Sequence, residues 1–256
     1  MHSPGMIHDL LWYILGRTTL FGLLLLLFRV TVWTAVERLQ PAHSVSYREV
    51  IWRDIGAAVV CGVAIIPAAG HVNRWVSFQP AFSALSELPL AARFMLYLIV
   101  ADFGHYWIHR FMHTRHAWRI HKWHHAPCYM YWLAGARGSF LQTILVNIPY
   151  IFAEGLVRLA PWWMGLAIIM KNSLQNDWMH INVRWGARWL EWIVVTPRYH
   201  HIHHSDDPRH YKANLAALFP IWDHLFGTYV DPDGEPEKLT FGIAEHVPAI
   251  RLAVGL

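Results

Sequence analysis

Long apolar runs dominate this sequence. Five segments are long and apolar enough to cross or enter a bilayer, which takes about 20 helical residues. They cover roughly 11–36, 51–70, 90–109, 140–157 and 160–175. Only 15% of the residues are charged, against about 25% in typical soluble domains. We therefore expect an all-α, polytopic membrane protein with about four to five transmembrane or membrane-embedded helices.

The chain shows no internal repeat and no low-complexity linker, so we expect a single integral membrane domain over residues 1–256. The last two apolar runs are separated only by "RLAP" and are predicted to form a tight hairpin. The N-terminal stretch "MHSPGMIHDLLWYILG" lacks the basic region and the cleavage site of a signal peptide. This predicts that the first run is retained as a span.

The positions of Lys and Arg set the expected orientation, because these residues are enriched in short cytoplasmic loops. Residues 1–10 contain neither, and the 71–89 loop contains only Arg74. The basic residues that follow the first and third runs are Arg38, Arg48, Arg53, Arg110, Arg115, Arg119, Lys122 and Arg137. This bias predicts an external N-terminus and a cytoplasmic helical cap that contains the histidine-rich segments. Arg29, inside the first run, has no evident partner.

Two further patterns concern the surface. The net charge of +4 is modest, and the basic residues are interleaved with histidines instead of forming a basic stripe, so we expect no nucleic-acid partner. In "RWGARWLEWIVV" (184–195), Trp185, Trp189 and Trp192 recur at helical spacing. That pattern predicts a helix, which either lies in the membrane interface or packs on the cytoplasmic part of the chain.

Histidines are concentrated in two places. Twelve of the 19 lie in the windows 105–125 and 200–210. His105, His109 and His113 recur every four residues and would share one face of a helix. Each window also contains an HxxHH motif, "HKWHH" and "HHIHH". A buried imidazole needs partners for two ring nitrogens, so such crowding is not typical of ordinary core residues.

Metal binding accounts for this crowding. Two HxxHH motifs and one HxxxH pair supply eight nitrogen donors, whereas a structural zinc site needs four ligands. The excess predicts two metal ions, each with a coordination position left open. Iron, zinc, copper and nickel all accept imidazole, so the ligands alone do not identify the metal. The spacing also leaves open whether His105 or His113 pairs with His109.

At these residues the sequence resembles the fatty acid hydroxylase / sterol desaturase superfamily of membrane di-iron enzymes. The chain contains, in the order of the superfamily's motifs, "DFGHYWIHRFMH", "HKWHH", "NDWMH", "TPRYHHIHHS", "ANLAAL" and "IWDHLFGTY". The resemblance covers roughly 100–230, about half of the chain. The chain departs from the pattern at His105, where an aromatic residue is commoner, and at Ala216, where Gly is usual. His116 and His201 are additional histidines.

The resemblance implies that His113, and not His105, pairs with His109. The implied metal ligands are His109, His113, His121, His124, His125, His180, His200, His203 and His204. Four residues are expected to support these ligands or the metals: Asn176, Asp102, Asp223 and His105. For Asn176, holding a metal-bound water and capping a helix remain equally open. No catalytic residue beyond the metal ligands is expected.

The resemblance also implies a function. It predicts an O₂-dependent di-iron enzyme that hydroxylates or desaturates an unactivated C–H bond of a fatty acyl, sterol-like or other lipid. The expected cofactor is two iron ions, although zinc is also expected in purified protein because it out-competes ferrous iron for imidazole. The sequence has no GxGxxG fingerprint after a strand and no fused cytochrome b5-like module. Electrons are therefore expected from an external cytochrome b5-like protein, a ferredoxin with its reductase, or a reduced pterin.

Two other classes of protein use clustered histidines. A membrane metal transporter would spread histidines across several spans, whereas here they gather after the third and fifth apolar runs. A membrane zinc hydrolase would be expected to carry HExxH or a Glu within its histidine motifs, and this chain has neither. The oxygenase is favoured over both alternatives.

Overall fold

The computed structural model describes residues 23–76, 85, 87–158 and 174–256. Within these residues the regular structure is helical, which confirms the all-α expectation, and the described segments contain no β-strand. One isolated antiparallel bridge joins Ser205 to Phe241.

Nine helices organise the described residues. The first five are α1 (23–39), α2 (Tyr47–Asn73), α3 (Leu90–Met112), α4 (Trp118–His121) and α5 (Phe140–Val157). The other four are α6 (174–180), α7 (Pro197–His204), α8 (Ile221–Phe226) and α9 (Ala249–Val254). Helices α1 and α2 each contain a π-helical turn, at Arg29–Trp33 and Cys61–Ile65.

Among the described residues, α2 and α5 are the helices long and apolar enough to cross a membrane. The predicted run 90–109 is helical and lies within α3, but it is not one of these two. The run 11–36 lies partly, and the run 160–175 almost wholly, outside the described residues. The total of four to five spans therefore stays a prediction.

Helices α3 and α5 pack along each other. Gly104 of α3 lies directly against Pro149 of α5, and a Cβ atom at position 104 would lie 2.7 Å from the Pro149 Cβ. Only glycine allows this close approach without displacement. Buried apolar side chains fill the remaining interface: Tyr97, Ala101, Ala153 and Val157.

Helix α1 presents one polar stripe to α6 and to the residues after it. Arg29, Trp33 and Glu37 are four residues apart and share a helical face. The Arg29 guanidinium contacts both oxygens of Asp177 at 2.5 and 2.6 Å, and Trp33 Nε1 donates to the same carboxylate at 3.0 Å. Glu37 Oε1 accepts the backbone N–H of Asn182 at 2.9 Å. Asp177 is therefore the partner that the sequence did not reveal for Arg29.

The helix predicted over 184–195 is absent, so this prediction was wrong. The segment is irregular and contains only a 3₁₀ turn at Leu190–Trp192. Its path is set by the buried Glu191, whose carboxylate accepts from Arg198 at 2.7 and 2.9 Å and lies 2.6 Å from where a Gly186 Cβ would stand. These contacts outweigh the helical pattern of the exposed tryptophans, which are Trp185, Trp189 and Trp192.

Candidate metal centre

Nine histidines meet in two buried clusters. The first cluster consists of His109, His113, His121, His125 and His203. The second cluster consists of His124, His180, His200 and His204. Within each cluster the candidate ligand nitrogens lie within 4.8 Å of one another. The structure thus brings together all nine histidines that the resemblance implies as ligands.

The two HxxHH motifs are shared between the clusters. The motif at 121–125 contributes its first and last histidines to the first cluster and His124 to the second. The motif at 200–204 does the reverse, because its first and last histidines join the second cluster and His203 joins the first. In each motif the pair separated by four residues stays on one side, and the third ring points to the other side. Each cluster therefore depends on both motifs.

The clusters adjoin each other. The rings of His125 and His204, which belong to different clusters, are stacked with centroids 4.2 Å apart. The rings of His121 and His124 are also stacked across the boundary, at 4.9 Å. Two metal ions held in these clusters would share a wall of imidazole rings, as in a dinuclear centre.

Local sequence explains how α3 and α7 present their ligands. His109 lies in the last turn of α3, and His113 directly follows its last residue. In α7, Thr196 is the N-cap, and its hydroxyl accepts the backbone N–H of Tyr199. Pro197 occupies the first helical position, where its missing N–H is harmless. The "TP" dipeptide thus starts a short helix that ends with the second HxxHH motif.

The outer ring nitrogens of six of these histidines are held by carbonyl oxygens. In the first cluster, three Nδ1 atoms donate to backbone carbonyls. His109 donates to Leu215 O at 2.7 Å, His113 to Tyr211 O at 2.8 Å and His203 to Ala213 O at 3.0 Å. Nδ1 of His121 donates to the side-chain oxygen Oε1 of Gln142 at 3.1 Å. In the second cluster, Nδ1 donates from His124 to Arg137 O at 3.0 Å and from His180 to Asn176 O at 2.7 Å. These acceptors place the ring proton on Nδ1, so each Nε2 lone pair points into its cluster.

In each cluster, Nε2 atoms of different histidines lie close together. Nε2 of His109 lies 2.9 Å from Nε2 of His121, and Nε2 of His180 lies 3.1 Å from Nε2 of His204. With metal–nitrogen bonds of about 2.1 Å, two ligands lie about 3.0 Å apart at a right angle and about 3.4 Å apart at the tetrahedral angle. Within the two clusters, the buried Nε2 atoms without a hydrogen-bond partner among the described residues are those of His113, His125 and His203. Because unpaired buried acceptors are costly, this donor set fits a cation in each cluster.

Burial keeps these imidazoles neutral. It lowers the pKa of His124 from 6.5 to about 4, and it lowers the pKa values of His125 and His204 well below 6.5. Neighbouring histidines lower the last two further. A neutral imidazole is the form that binds a metal ion, so the folded chain presents ligands ready for binding at neutral pH.

Two of the expected supporting residues, Asp102 and Asp223, act through the backbone. Asp102 accepts the backbone N–H groups of 218 and 219, both at 2.9 Å, and Asp223 accepts those of 215 and 216 at 2.8 and 2.7 Å. The two carboxylates thus hold the 215–219 segment through its backbone N–H groups, and their supporting role at the metal centre stays a prediction. The fixed segment in turn supplies the carbonyl of Leu215 to His109.

Asn176 supports His180 through its main chain, whose carbonyl accepts His180 Nδ1. Its side chain donates to Gly135 O at 3.1 Å. Gly135 is needed there, since a Cβ at this position would lie 2.4 Å from the His180 ring. His105 lies one turn before His109 and outside both clusters, with its Nδ1 3.4 Å from the Tyr150 hydroxyl.

The departures from the superfamily pattern are accommodated. Ala216 is fully buried, and its φ is not positive, so alanine replaces glycine there without backbone strain. His116 is exposed, whereas His201 is buried with its ring centroid 5.6 Å from that of His43. Neither His116 nor His201 belongs to a cluster.

Sequence reasoning missed Gln142, which accepts the Nδ1–H of His121. Gln142 lies in the first turn of α5, and its backbone N–H donates to the N-cap Ser139. The Ser139 hydroxyl in turn donates to Ile120 O at 2.6 Å, which ties α5 to α4. The spacing Ser-x-x-Gln before an apolar helix is a recognisable N-terminal signature, and it was the available signal.

A buried ion pair that the sequence did not suggest supports His124. The carbonyl of Arg137 accepts His124 Nδ1, while its guanidinium group pairs with Asp54 of α2. The Tyr131 hydroxyl donates to the same carboxylate. The signal was an acidic residue inside an apolar helix, which is rarely present without a partner.

A cavity of about 800 Å³ lies beside the centre, and the histidines that line it are His113, His125, His203 and His204. Trp118 also lines it, with its ring 5.3 Å from His113 and 5.1 Å from His125. The cavity therefore places space for a molecule much larger than water or O₂ next to rings of both clusters.

The fold and the centre define a helical protein with two candidate membrane spans and two buried histidine clusters that could bind metal. The sequence model of the fatty acid hydroxylase family matches residues 94–228. This chain therefore belongs to the fatty acid hydroxylase family.

Several relatives of this chain are named as enzymes that modify lipids. The chain is 31% identical to alkylglycerol monooxygenase of Homo sapiens, in an alignment covering 71% of this chain and 39% of the relative. It is 31% identical to the ornithine lipid hydroxylase OlsE of Rhizobium tropici, covering 66% and 52%. It is 22% identical to methylsterol monooxygenase 1-3 of Arabidopsis thaliana, covering 56% and 50%. The chain thus matches about two fifths to half of the length of these relatives. No solved structure matches it.

Proposed function

We propose that this chain is a membrane di-iron oxygenase that hydroxylates an unactivated C–H bond of a lipid, using O₂ and electrons from an external donor. The observation that carries the proposal is the pair of adjoining clusters of buried histidines. Nine such ligands exceed what one structural metal site needs, which leaves coordination positions for chemistry. Hydroxylation is preferred to desaturation because the relatives above are named monooxygenases or hydroxylases.

The protein's own contribution is to hold and shield the centre. Two bound iron ions would supply the activation of O₂ that removes hydrogen from an unactivated carbon. The carbonyl acceptors fix six of the nine rings, so that Nε2 is the metal-facing atom of each of these six. Trp118 packs against the rings of His113 and His125 and restricts their movement on the side of the cavity. The cavity beside these rings provides the space in which a C–H bond can approach the centre.

We further propose that residues 1–256 form one integral membrane domain with four to five membrane-embedded helices and a cytoplasmic cap. The apolar helices α2 and α5 and the Lys/Arg distribution support this arrangement. The electron donor is expected to be a cytochrome b5-like protein, a ferredoxin with its reductase, or a reduced pterin. The lipid substrate would reach the centre from the membrane.

The direct test is mass spectrometry of lipid extracts from cells that express the chain or its His124→Ala variant. The expected result is a lipid species that gains one oxygen atom only with the unmodified chain. A species that loses two hydrogen atoms instead would identify a desaturase. Identical lipid profiles in both strains, with both proteins present in the membrane, would contradict the proposal.

A further inference from the structure

The cavity beside the first cluster is large enough for part of a lipid. Its volume of about 800 Å³ falls in the range of small-molecule sites, about 300–1,000 Å³. It is lined by histidines of both clusters and by apolar groups such as Trp118, Phe241 and Ile243. A molecule that fills this cavity therefore contacts apolar walls as well as rings of the centre.

Charged side chains line the cavity, and they are Arg53, Arg115, Lys122, Lys212, Asp206 and Glu245. Lys122 and Glu245 neutralise each other in an ion pair of 2.5 Å. This leaves three cations against Asp206, which accepts a hydrogen bond from Thr240. Arg115 and Lys212 are exposed and form no ion pair within the described residues. The lining of the cavity therefore carries a net positive charge, with two exposed cations available to a ligand.

From this arrangement we infer that the cavity binds a lipid with an anionic headgroup, such as a phosphate. The exposed side chains of Arg115 and Lys212 hold the headgroup, and the alkyl part extends along Trp118 towards the first cluster. An uncharged headgroup would gain nothing from the two cations, and a cationic one would be repelled. The inference rests on the proposed function, because it makes this lipid the substrate of the same centre.

Cys128 provides a reporter that does not depend on turnover. It lines the cavity and is exposed, whereas the other cysteine, Cys61, is buried. A ligand in the cavity should slow the alkylation of Cys128 by N-ethylmaleimide. The full-length protein is tested in neutral detergent micelles that contain hexadecyl phosphate or hexadecanol over the same range of mole fractions. We expect hexadecyl phosphate to protect at a mole fraction about tenfold lower than hexadecanol.

A matched pair of variants separates the cavity from general charge effects. In Arg115→Glu/Lys212→Glu the advantage of hexadecyl phosphate over hexadecanol should disappear. The control Arg119→Glu/Arg251→Glu makes the same change of charge on exposed arginines that do not line the cavity, and it should keep the advantage. Equal protection by both lipids in the unmodified protein, or an unchanged advantage in the first variant, would overturn the inference.

Inorganic phosphate alone should give no protection at the same concentrations, since it lacks the apolar part. Protection by phosphate equal to that by hexadecyl phosphate would overturn the lipid part of the inference. Failure of the proposed function has a different signature, namely headgroup-dependent protection of Cys128 without any oxygenated lipid in cells. Oxygenated lipid without headgroup-dependent protection would instead reject only the headgroup site.

Discussion

The Arg29 guanidinium group holds both carboxylate oxygens of Asp177, although the two residues are 148 positions apart. Asp177 is fully buried and lies in α6, three residues before His180. The ion pair therefore links α1 to the helix that contributes a histidine to the second cluster. Removing one partner of a buried pair leaves the other charge without compensation, which costs about 3–5 kcal/mol.

Arg29→Leu should lower the free energy of unfolding by about 3 kcal/mol and reduce the metal content of the second cluster. Thermal unfolding and elemental analysis measure the two effects. Arg38→Leu is the matched control, because Arg38 lies at the end of the same helix and is exposed. In Arg29→Leu/Asp177→Leu part of the loss should be recovered, since no buried charge remains. Normal stability in Arg29→Leu would show that the pair contributes little.

The centre should bind two metal ions per chain, with iron in the active enzyme. His124→Ala should lose a metal ion and all turnover, because His124 is one of four candidate ligands in the second cluster. Elemental analysis of purified protein tests this. A folded, saturated chain with one metal ion or fewer would contradict the two-metal assignment, even if that ion were zinc.

The pairing of histidines along α3 is a separate prediction. His105 lies outside both clusters, one turn before His109. We therefore expect His105→Phe to keep both metal ions and at least part of the activity, whereas His109→Phe should lose a metal ion. The two variants place the same ring on the same helix, so a difference in metal content reports ligation. Metal loss in His105→Phe alone would shift the assignment by one turn.

The sequence predicts those features of the centre that depend on residues close together in the chain, and it misses contacts between residues that are far apart in the chain. The two HxxHH motifs are recognisable because their spacing is local, whereas His180 and the choice of His113 over His105 came from the resemblance. The division of each HxxHH motif between two clusters depends on how α3, α4 and α7 meet. The partner of Arg29 is equally distant in sequence. The tryptophan spacing at 184–195 predicted a helix because a helical pattern does not register the buried Glu191, whose hydrogen bonds fix another path.

Gln142→Leu should weaken metal binding in the first cluster about 10–100-fold, because it removes the acceptor that orients His121. Gln142→Glu keeps an acceptor oxygen in the same place and should retain binding. Titration of the metal-free protein with Zn²⁺, followed by a competing chelator, compares the three proteins. Equal affinity in Gln142→Leu would mean that the Gln142 contact does not position the ring.

The stability of the metal-free protein should fall in acid. The pKa of His124 is about 4 in the folded chain because of burial, against 6.5 ordinarily. Between pH 6.5 and 4 the unfolded chain takes up a proton that the folded chain does not, so unfolding becomes more favourable as the pH falls. The loss from this residue is about 3 kcal/mol. Denaturant unfolding across this pH range should show a shallower dependence in His124→Ala, and an increase in stability towards acid would contradict the prediction.

The orientation of the chain can be tested on either side of α2. The end of α2 near Arg74 has few basic residues, whereas its start and the histidine-rich segments are basic, which predicts an external loop at 71–89 and a cytoplasmic centre. The native exposed thiol is first removed by Cys128→Ser, because Cys61 is buried. In intact cells, a membrane-impermeant maleimide should then label Arg74→Cys, but it should label Asp206→Cys only after permeabilisation. The reverse pattern would invert the topology, and labelling of both from one side would show that α2 does not separate these residues across the membrane.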